Sequence, residues 1–252
     1  MTSSRPDGRQ PNQLRPISIE RGFTKNAPGS VLMSYGDTKV LVTASIEDRV
    51  PRHIYISNND NEGWLTAEYA LLPGSTNTRS QRDRLRISGR TAEIQRLIGR
   101  SLRAAVDLKN IGQRTITIDA DVLQADGGTR VACITAGYIA LVDALLHLKR
   151  NNKLKAVPAL YPIAAVSVGM VNGQAVLDLN YEEDMAADVD ANIVMNNDEK
   201  FIELQATCED EPFSHDNLLE MTELARQGLN ELLAHQNDAL GNALEELHAV
   251  HA

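Results

Sequence analysis

The sequence predicts an α+β fold built from two related βαβ-type halves, with mixed sheets covered by helices. A hairpin signature occurs in each half, because β-forming residues alternate on both sides of tight turns at Gly36-Asp37 and Asn172-Gly173. Further segments in each half have apolar residues that recur with the period of an α-helix. Hairpins combined with helices, twice in one chain, indicate sheets with helices packed against them.

The first half is predicted to alternate between strands and helices. Runs of alternating β-formers predict strands over residues 17–20, 29–35, 38–44 and 115–122. Apolar residues at helical spacing predict helices over 91–108 and 131–150. Trp64 and Tyr69 are expected to pack in the core rather than to stack on nucleic-acid bases.

The second half repeats this plan. Strands are expected over residues 164–171, 174–179, 191–195 and 200–207. A long amphipathic helix follows with Ser214 as its N-cap, because a serine at that position offers its hydroxyl to the first turn. The joint between the halves is expected at the polar run 150–153.

These elements divide the chain into four parts. Residues 1–12 are expected to form a flexible N-terminal segment, because they are polar and contain two prolines and a glycine. Residues 13–150 form the predicted first half, which contains the phosphate-binding turn described below. Residues 151–240 form the second half, and residues 241–252 form a C-terminal tail that is expected to fray.

The charge pattern of the chain narrows its possible partners. A net charge of −9 over 252 residues argues against a general nucleic-acid-binding protein. However, eight arginines lie within residues 79–103, and six acidic residues lie within 178–190. A local basic patch can bind a polyanion although the whole chain is acidic. Arg96 and Arg103 are expected on a solvated helix face, whereas residues 79–86 are expected to form a mobile basic loop.

The sequence gives no indication of export or membrane insertion. The first residues contain no apolar signal core. The best apolar stretch, 134–146, is too short to span a bilayer and contains Asp143. Cys133 and Cys208 do not predict a disulfide framework. We therefore expect a soluble cytoplasmic protein with no membrane partner.

The segment Gln124-Ala125-Asp126-Gly127-Gly128-Thr129-Arg130 lies between a predicted strand and a predicted helix. Two glycines at such a turn let backbone N–H groups approach a ligand closely, and the helix N-terminus adds unpaired donors and a partial positive charge. Thr129 contributes a hydroxyl, and Arg130 contributes a planar guanidinium that suits phosphate oxygens. The segment predicts an anion site that fits phosphate, although an ordinary turn can have the same glycines.

Arg130 is predicted to extend the core-facing stripe of its helix, because it lies four residues before Ile134. A guanidinium in that position is costly unless it meets an anion or a carboxylate. Two interpretations remain open at this point. Arg130 binds a phosphate, or it forms a structural ion pair with Asp126 or Asp121.

An acidic segment, residues 181–190, joins two predicted strands of the second half. Two of its carboxylates could bind Mg²⁺ together, with water and substrate phosphates completing the coordination shell. Alternatively, one could have a raised pKa and act as a general acid, or the segment could be a solvated acidic turn. Phosphate-binding donors combined with metal-binding carboxylates are typical of phosphoryl-transfer sites.

Several segments occur in an order that carries a family resemblance: Arg5-Pro6-Asp7-Gly8-Arg9 and residues 36–41, 63–69, 88–98, 124–130 and 181–190. The chain resembles the bacterial ribonuclease PH family of phosphorolytic 3′→5′ exoribonucleases over nearly its whole length. The resemblance implies a fold of the ribosomal protein S5 domain 2-like type and a homohexameric ring of three dimers. It also implies trimming of tRNA precursor 3′ ends with inorganic phosphate, release of nucleoside diphosphates, and reversal as nucleotide addition by a tRNA nucleotidyltransferase.

The resemblance also assigns roles to individual residues. The residues implied to bind the attacking phosphate are Arg90, Gly128, Thr129 and Arg130. The implied catalytic residues are Asp184, Asp190 and Arg130, and the two aspartates are the implied Mg²⁺ ligands. The residues implied to hold the RNA strand are Arg79, Arg82 and Arg86.

Two other functions remain open. A metal-dependent hydrolytic nuclease would use water as the nucleophile and yield monophosphates, although an attacking water needs no phosphate-binding turn. A non-catalytic RNA-binding ring subunit would keep the fold without the chemistry. The presence of Asp184 and Asp190 together with Arg90 and Arg130 argues against that second alternative.

Overall fold

The computed structural model describes residues 5–57, 62–83, 87–208 and 211–249. Within these residues the chain forms two sheets that pack on opposite sides of one long helix. This arrangement confirms the predicted α+β class with two related halves. Arg86, one of the predicted RNA-binding residues, lies outside the described residues.

The first sheet is mixed and belongs to the first half. Its strands are β1 (Ile17–Arg21), β2 (Gly29–Tyr35), β3 (Thr38–Glu47), β4 (Trp64–Leu71) and β5 (Thr115–Gln124). The helices of this half are α1 (Arg52–Ser57), α2 (Gly89–Arg103) and α3 (Thr129–Arg150). The strand order is β1-β2-β3-β5-β4, and β4 pairs with β5 in parallel while the other pairs are antiparallel. Helix α2 connects the two parallel strands, so β4, α2 and β5 form a βαβ unit.

The second sheet lies in the second half, and its described strand pairs are all antiparallel. Its strands are β6 (Ile163–Val171), β7 (Gln174–Leu177), β8 (Val189–Asn196) and β9 (Phe201–Cys208). The strand order is β7-β6-β8-β9. The helices of this half are α4 (Tyr181–Ala186), α5 (His215–Leu240) and α6 (Ala243–His248). Helix α5 packs on β6 and β7 and is capped by Ser214, as predicted.

Helix α3 is the centre of the core. It contacts β2 and β3 on one side and β6 on the other, and residues from Val131 to Val142 are fully or almost fully buried. A helix that is apolar on all sides is stable only where protein covers all of it. Burying one large apolar side chain contributes roughly 1.5–3 kcal/mol, so this helix joins the two halves strongly. By length and composition α3 could cross a membrane, but most of it is buried between the sheets as a core helix.

Some elements differ from the prediction. Strand β4 was not predicted, although Leu65, Ala67 and Tyr69 alternate inward along it, and Tyr69 is buried as expected. Helix α3 begins at Thr129, two residues before the predicted start at residue 131. Helix α2 ends at Arg103 rather than at residue 108, because the chain then forms a bridge between Val106 and Leu160.

The described part of the N-terminal segment packs against the second half, in contrast to the predicted flexibility. Residues 1–4 lie outside the described residues, but Arg5 and Arg9 are buried at 6% and 8% exposure. Their guanidinium groups form ion pairs with the buried carboxylate of Glu183. The polar composition predicted a solvated segment, whereas these two arginine side chains form buried ion pairs with carboxylates of the second half.

The C-terminal tail also packs more than predicted. Within the described part, Ala243 and Leu247 of α6 are buried against the core. The ammonium group of Lys149, at the end of α3, donates hydrogen bonds to the carbonyls of Glu246 and Leu247 at 2.6 and 2.8 Å. A lysine that binds the last carbonyls of a helix prevents the fraying expected from sequence. Residues 250–252 lie outside the described residues.

Candidate active site

The glycine turn has the geometry of an anion-binding site. Gly127 and Gly128 both have left-handed backbone conformations, with φ of 74° and 66°. The Thr38 hydroxyl holds the turn, because it donates to the Gly127 carbonyl at 2.6 Å and accepts from the Asp126 amide at 2.9 Å. Gly128 is the N-cap of α3 and provides no capping side chain. The first N–H groups of a long helix are therefore presented without a side-chain cap, which suits an anion.

Thr129 is the first residue of α3, and its hydroxyl contacts Tyr69, which was predicted only as a core residue. The Tyr69 hydroxyl lies 3.0 Å from the Thr129 hydroxyl. Burial raises the pKa of Tyr69 to about 12, so the hydroxyl stays protonated at neutral pH. Tyr69 can therefore fix the orientation of Thr129 beside the turn. Local sequence pattern does not indicate this contact, because Tyr69 reaches Thr129 only through tertiary packing.

Arg130 lies at the edge of the core, with 17% of its side chain exposed. Its Nη1 atom is 3.3 Å from a carboxylate oxygen of Glu93 and 3.2 Å from the side-chain oxygen of Gln205. The structural pair that the sequence left open was Asp126 or Asp121, but the recorded ion pair is with Glu93 on α2. Since both contacts use Nη1, the other nitrogens of the guanidinium fork can face an anion.

The two candidate carboxylates lie on different elements of the second half. Asp184 is on α4, a helix missed by the sequence prediction, and Asp190 is on β8, where it pairs with Gly169 of β6. Helix α4 begins with a capping box in which the Asn180 side chain accepts from the Glu183 amide and the Glu183 side chain accepts from the Asn180 amide. Such a box fixes the first turn of the helix. The segment is therefore a capped helix rather than a solvated acidic turn.

Electrostatics indicate that Asp184 lies close to residues of both halves. Burial raises the pKa of Asp184 and the Asp190 carboxylate raises it further, whereas Arg90, Arg130 and Arg15 lower it. The carboxylate is still reached by solvent, so it lies on an open but crowded surface. Four of the charges that act on Asp184 are therefore those of Asp190, Arg90, Arg130 and Arg15, and the sequence prediction did not name Arg15.

The carboxylate pair fits the requirements of Mg²⁺. Among the described residues, no group of three or more His, Cys, Asp or Glu side chains forms a metal cage. Mg²⁺ does not need such a cage, because it commonly uses one or two carboxylates and takes its other ligands from water and substrate phosphates. The repulsion between Asp184 and Asp190 that raises the pKa of Asp184 is the kind of strain that a divalent cation relieves.

The described part of the basic loop, residues 79–83, follows a segment that contacts the glycine turn. In that preceding segment the Ser75 carbonyl accepts a hydrogen bond from the Ala125 amide at 2.8 Å. Arg79 and Arg82 are exposed on this loop. Burial raises the pKa of Asp121, and the positive charge of Arg82 opposes part of this rise. The Arg82 guanidinium therefore lies near the end of β5. Two of the three predicted RNA-binding arginines are therefore available to solvent beside the candidate site.

Arg90 lies in the first turn of α2 and is exposed. Burial raises the pKa of both Tyr69 and Asp184, and the charge of Arg90 opposes this rise at each, so Arg90 lies near both the glycine turn and Asp184. The arrangement as a whole has anion-binding donors on one side and carboxylates on the other. Such a site can bind one anion at the glycine turn next to a second anion that is bound through a metal ion at the carboxylates.

Two family models match the chain in sequence order. The 3′ exoribonuclease family, domain 1, matches residues 13–147, and domain 2 of the same family matches residues 161–228. Together they cover most of the chain, and each lies within one of the two halves.

Several solved structures have a similar fold. Rice (Oryza sativa) Rrp46 is 23% identical over 97% of this chain and 100% of that chain, with a TM-score of 0.70. A chain of the Archaeoglobus fulgidus exosome with RNA bound to the active site is 20% identical over 92% of each chain, with a TM-score of 0.75. A chain of an archaeal exosome core is 20% identical over 93% of this chain and 91% of that chain, with a TM-score of 0.72.

Proposed function

This chain belongs to the 3′ exoribonuclease family, and we propose that it is a phosphorolytic 3′→5′ exoribonuclease of the ribonuclease PH type. It uses inorganic phosphate to remove the 3′-terminal nucleotide as a nucleoside diphosphate, and in reverse it acts as a nucleotidyltransferase. One observation supports the proposal most directly: the uncapped glycine turn of the first half contacts the start of α4, the helix that carries Asp184.

The chemistry is a direct displacement. An oxygen of inorganic phosphate attacks the phosphorus of the last internucleotide linkage, and the bond from that phosphorus to the preceding 3′ oxygen breaks. The backbone N–H groups of the glycine turn, with Thr129 and Arg130, hold the attacking phosphate and reduce its repulsion from the RNA phosphate. Arg90 lies near enough to Asp184 to oppose the rise of its pKa, so it adds positive charge where two anions approach each other.

Asp184 and Asp190 would hold Mg²⁺, which would supply positive charge for the scissile phosphate and the leaving 3′ oxygen. The carboxylates themselves keep this side of the site negative, so that the free phosphate binds at the turn. Tyr69 keeps the Thr129 hydroxyl in place.

The physiological substrate that we propose is the 3′ end of tRNA precursors, held by Arg79, Arg82 and Arg86. We propose a cytoplasmic homohexameric ring of three dimers as the working form. Two observations support these parts of the proposal: the free Cys133 and Cys208 suit a reducing compartment, and the similar solved chains belong to exosomes. Native mass spectrometry tests the ring, because six copies in one particle are expected.

Product analysis tests the reaction. A short tRNA with a 3′ extension is incubated with Mg²⁺, with and without inorganic phosphate, and the released nucleotides are separated by chromatography. Nucleoside diphosphates that appear only with phosphate are expected. Monophosphates without phosphate would instead indicate a hydrolase, and RNA binding without any product would indicate a non-catalytic ring subunit.

A second substrate tests the specificity for tRNA. An unstructured RNA of equal length is compared with the 3′-extended tRNA at the same phosphate concentration. The proposal requires a higher kcat/KM for the tRNA, and equal values would limit the function to general 3′ exoribonuclease activity.

A further inference from the structure

Five charged residues form a buried cluster between the N-terminal segment and the second half. The cluster consists of Arg5, Arg9, Arg15, Asp178 and Glu183, and each side chain is at most 7% exposed. It includes both arginines of the segment Arg5-Pro6-Asp7-Gly8-Arg9, to which the proposed reaction gives no role. Burying ions costs desolvation energy that their pairing only partly recovers, so such a cluster is weak evidence for stability alone. The position of the cluster, between the glycine turn and α4, indicates its role better than its contribution to stability does.

Arg15 connects the second half to the glycine turn. Its Nη2 and Nε atoms bind the two carboxylate oxygens of Asp178 at 2.7 and 3.0 Å, and its backbone amide binds the same carboxylate at 2.8 Å. The same guanidinium donates from Nη1 to the Asp126 carbonyl, and from Nη2 to the Gly127 carbonyl at 3.4 Å. One planar group therefore holds the turn and Asp178 at a fixed separation.

Asp178 is itself held in an unfavourable backbone conformation, since its φ is 54° and it is not a glycine. It is fully buried and lies six residues before Asp184. A residue remains in the left-handed region only where its surroundings fix it, and such strain is concentrated at functional sites. Here the fixing groups include Arg15, Arg5 and Arg9, together with the Ser167 carbonyl of β6, which accepts from the Asp178 amide at 2.7 Å.

Arg5 holds the helix that carries Asp184. Its Nε and Nη2 atoms bind the two carboxylate oxygens of Glu183 at 2.6 and 2.7 Å. Glu183 also closes the capping box of α4, and Asp184 is the next residue. The bidentate pair thus fixes the first turn of α4 and the backbone from which Asp184 projects.

The turn and α4 are also in direct contact. A Cβ atom added to Gly127 would lie 2.5 Å from the Leu179 carbonyl oxygen and 2.7 Å from the Asn180 carbonyl carbon. The amide of Tyr181 donates to an Asp126 carboxylate oxygen at 3.2 Å. The two halves of the site therefore touch along the backbone, and Arg15 lies at this contact.

We propose that Arg15 is a positioning residue that sets the distance between the phosphate-binding turn and the helix carrying Asp184, and that Arg5 assists by seating that helix through Glu183. This inference rests on the proposed function. It assigns the N-terminal segment to the active site, although none of its arginines needs to touch the substrate. A misplacement of about 1 Å between reacting groups can reduce a rate roughly 100-fold.

The test compares Arg15→Lys with Arg21→Lys. Lysine keeps the charge but cannot bind Asp178 bidentately while reaching the turn. Arg21 is a matched control, because it pairs with Asp143 and donates to the Ala239 and Leu240 carbonyls, away from the site. For Arg15→Lys we expect kcat to fall about 10-fold to 100-fold, as for residues that orient catalytic groups, with weaker phosphate binding and unchanged RNA affinity. For Arg21→Lys we expect a lower Tm with wild-type kcat and phosphate affinity.

A second variant keeps the inference testable if Arg15→Lys does not fold. Arg5→Met combined with Glu183→Gln removes both charges of one pair and keeps a side-chain oxygen for the α4 capping box. This double variant is expected to fold and to lose kcat, with phosphate affinity close to wild type, because it disturbs α4 rather than the turn. Wild-type kcat in both this variant and folded Arg15→Lys would overturn the inference.

Phosphate binding separates this inference from the proposed function. Titration calorimetry with inorganic phosphate alone needs no turnover, so it compares wild type with Arg15→Lys even if wild type releases no nucleoside diphosphate. Weaker phosphate binding by the folded variant supports the positioning role. Equal phosphate dissociation constants in the two proteins would contradict it, whatever the product analysis gives.

Discussion

At the scale of single residues, Arg130 combines a fixed position with free donors. Glu93 and Gln205 hold its Nη1 atom from α2 and β9, so the guanidinium does not need to reorganise when an anion binds. Preorganised donors of this kind stabilise charge in a transition state at little further cost. The Glu93 pair is thus compatible with a phosphate-binding role.

Arg130→Ala is expected to lower kcat/KM for phosphorolysis by about 100-fold to 1,000-fold, or roughly 3 kcal/mol, as for the loss of one oxyanion donor. Initial rates over a range of phosphate concentrations measure this loss. Arg100→Ala is the control, because Arg100 also bridges α2 and β9 by its pair with Glu203 at 2.7 Å. Near-wild-type activity of Arg130→Ala would contradict the assignment.

Asp184 provides a prediction about stability. Since burial and Asp190 raise its pKa in the folded state, ionisation is less favourable there than in the unfolded chain. The ionised carboxylate therefore lowers the free energy of unfolding above the folded-state pKa, and this effect vanishes below the unfolded pKa, where both states are protonated. In chelator at pH ~7, well above the ordinary Asp pKa, Asp184→Asn should raise the Tm, and in a separate assay with Mg²⁺ it should abolish phosphorolysis.

Thermal unfolding at several pH values checks this sign. The Tm difference between Asp184→Asn and wild type should shrink as the pH falls toward ~3, below the ordinary Asp pKa. Asp188→Asn, an exposed neighbour on the same segment, serves as the control and should change neither Tm nor activity greatly. A lower Tm for Asp184→Asn at neutral pH would contradict the prediction.

At the scale of elements, the glycine turn depends on two separate properties of Gly127. Its φ of 74° favours glycine, and its missing Cβ leaves room for the backbone before α4. Gly173 in the β6–β7 hairpin has a similar φ of 75° but no atom within 4 Å of an added Cβ. The two positions therefore separate backbone strain from steric contact.

Gly173→Ala should lose about 1–2 kcal/mol of stability, because alanine is strained in the left-handed region. Gly127→Ala should lose more, because its Cβ would also lie 2.5 Å from the Leu179 carbonyl oxygen. Only Gly127→Ala should also raise the KM for phosphate, since its methyl group would push the turn away from α4. Steady-state kinetics with varied phosphate, together with urea unfolding, measures both effects. An unchanged phosphate KM in Gly127→Ala would mean that the turn does not bind the phosphate.

The sequence predicted the elements that have strong local patterns. Both hairpins and the two long helices α3 and α5 follow from alternation, helical period and turn residues. Short α4 was missed because its capping box, Asn180 with Glu183, lies within an acidic run that resembles a solvated turn. Local pattern does not distinguish a six-residue helix from a turn when its stability comes from Arg5, far away in sequence.

The site itself was only partly predictable. The glycines, Thr129 and Arg130 are contiguous, so the turn could be predicted from one segment. Tyr69 and Arg15 could not be assigned from pattern, because each reaches the turn only through tertiary contacts. The actual partner of Arg130, Glu93, lies 37 residues away on another helix, and spacing along one helix could not reveal it.

At the scale of the whole molecule, the two halves contribute opposite charges to one site. The first half supplies the turn and the arginines, and the second half supplies the carboxylates, while α3 holds both sheets together. The acidic net charge of −9 keeps most of the surface unattractive to RNA. Binding should then depend on the local basic loop.

The combined variant Arg79→Ala with Arg82→Ala tests this dependence through salt. Each phosphate contact that is lost reduces the slope of log affinity against log salt by about 0.7 for a single strand, so the double variant should reduce it by about 1.4. Fluorescence anisotropy with a short labelled RNA at several salt concentrations measures the slope. Because neither side chain touches the glycine turn, kcat at saturating RNA should stay near wild type. The control, Arg226→Ala, removes an arginine of α5 that pairs with Glu199 and Glu223, and its slope should equal that of wild type.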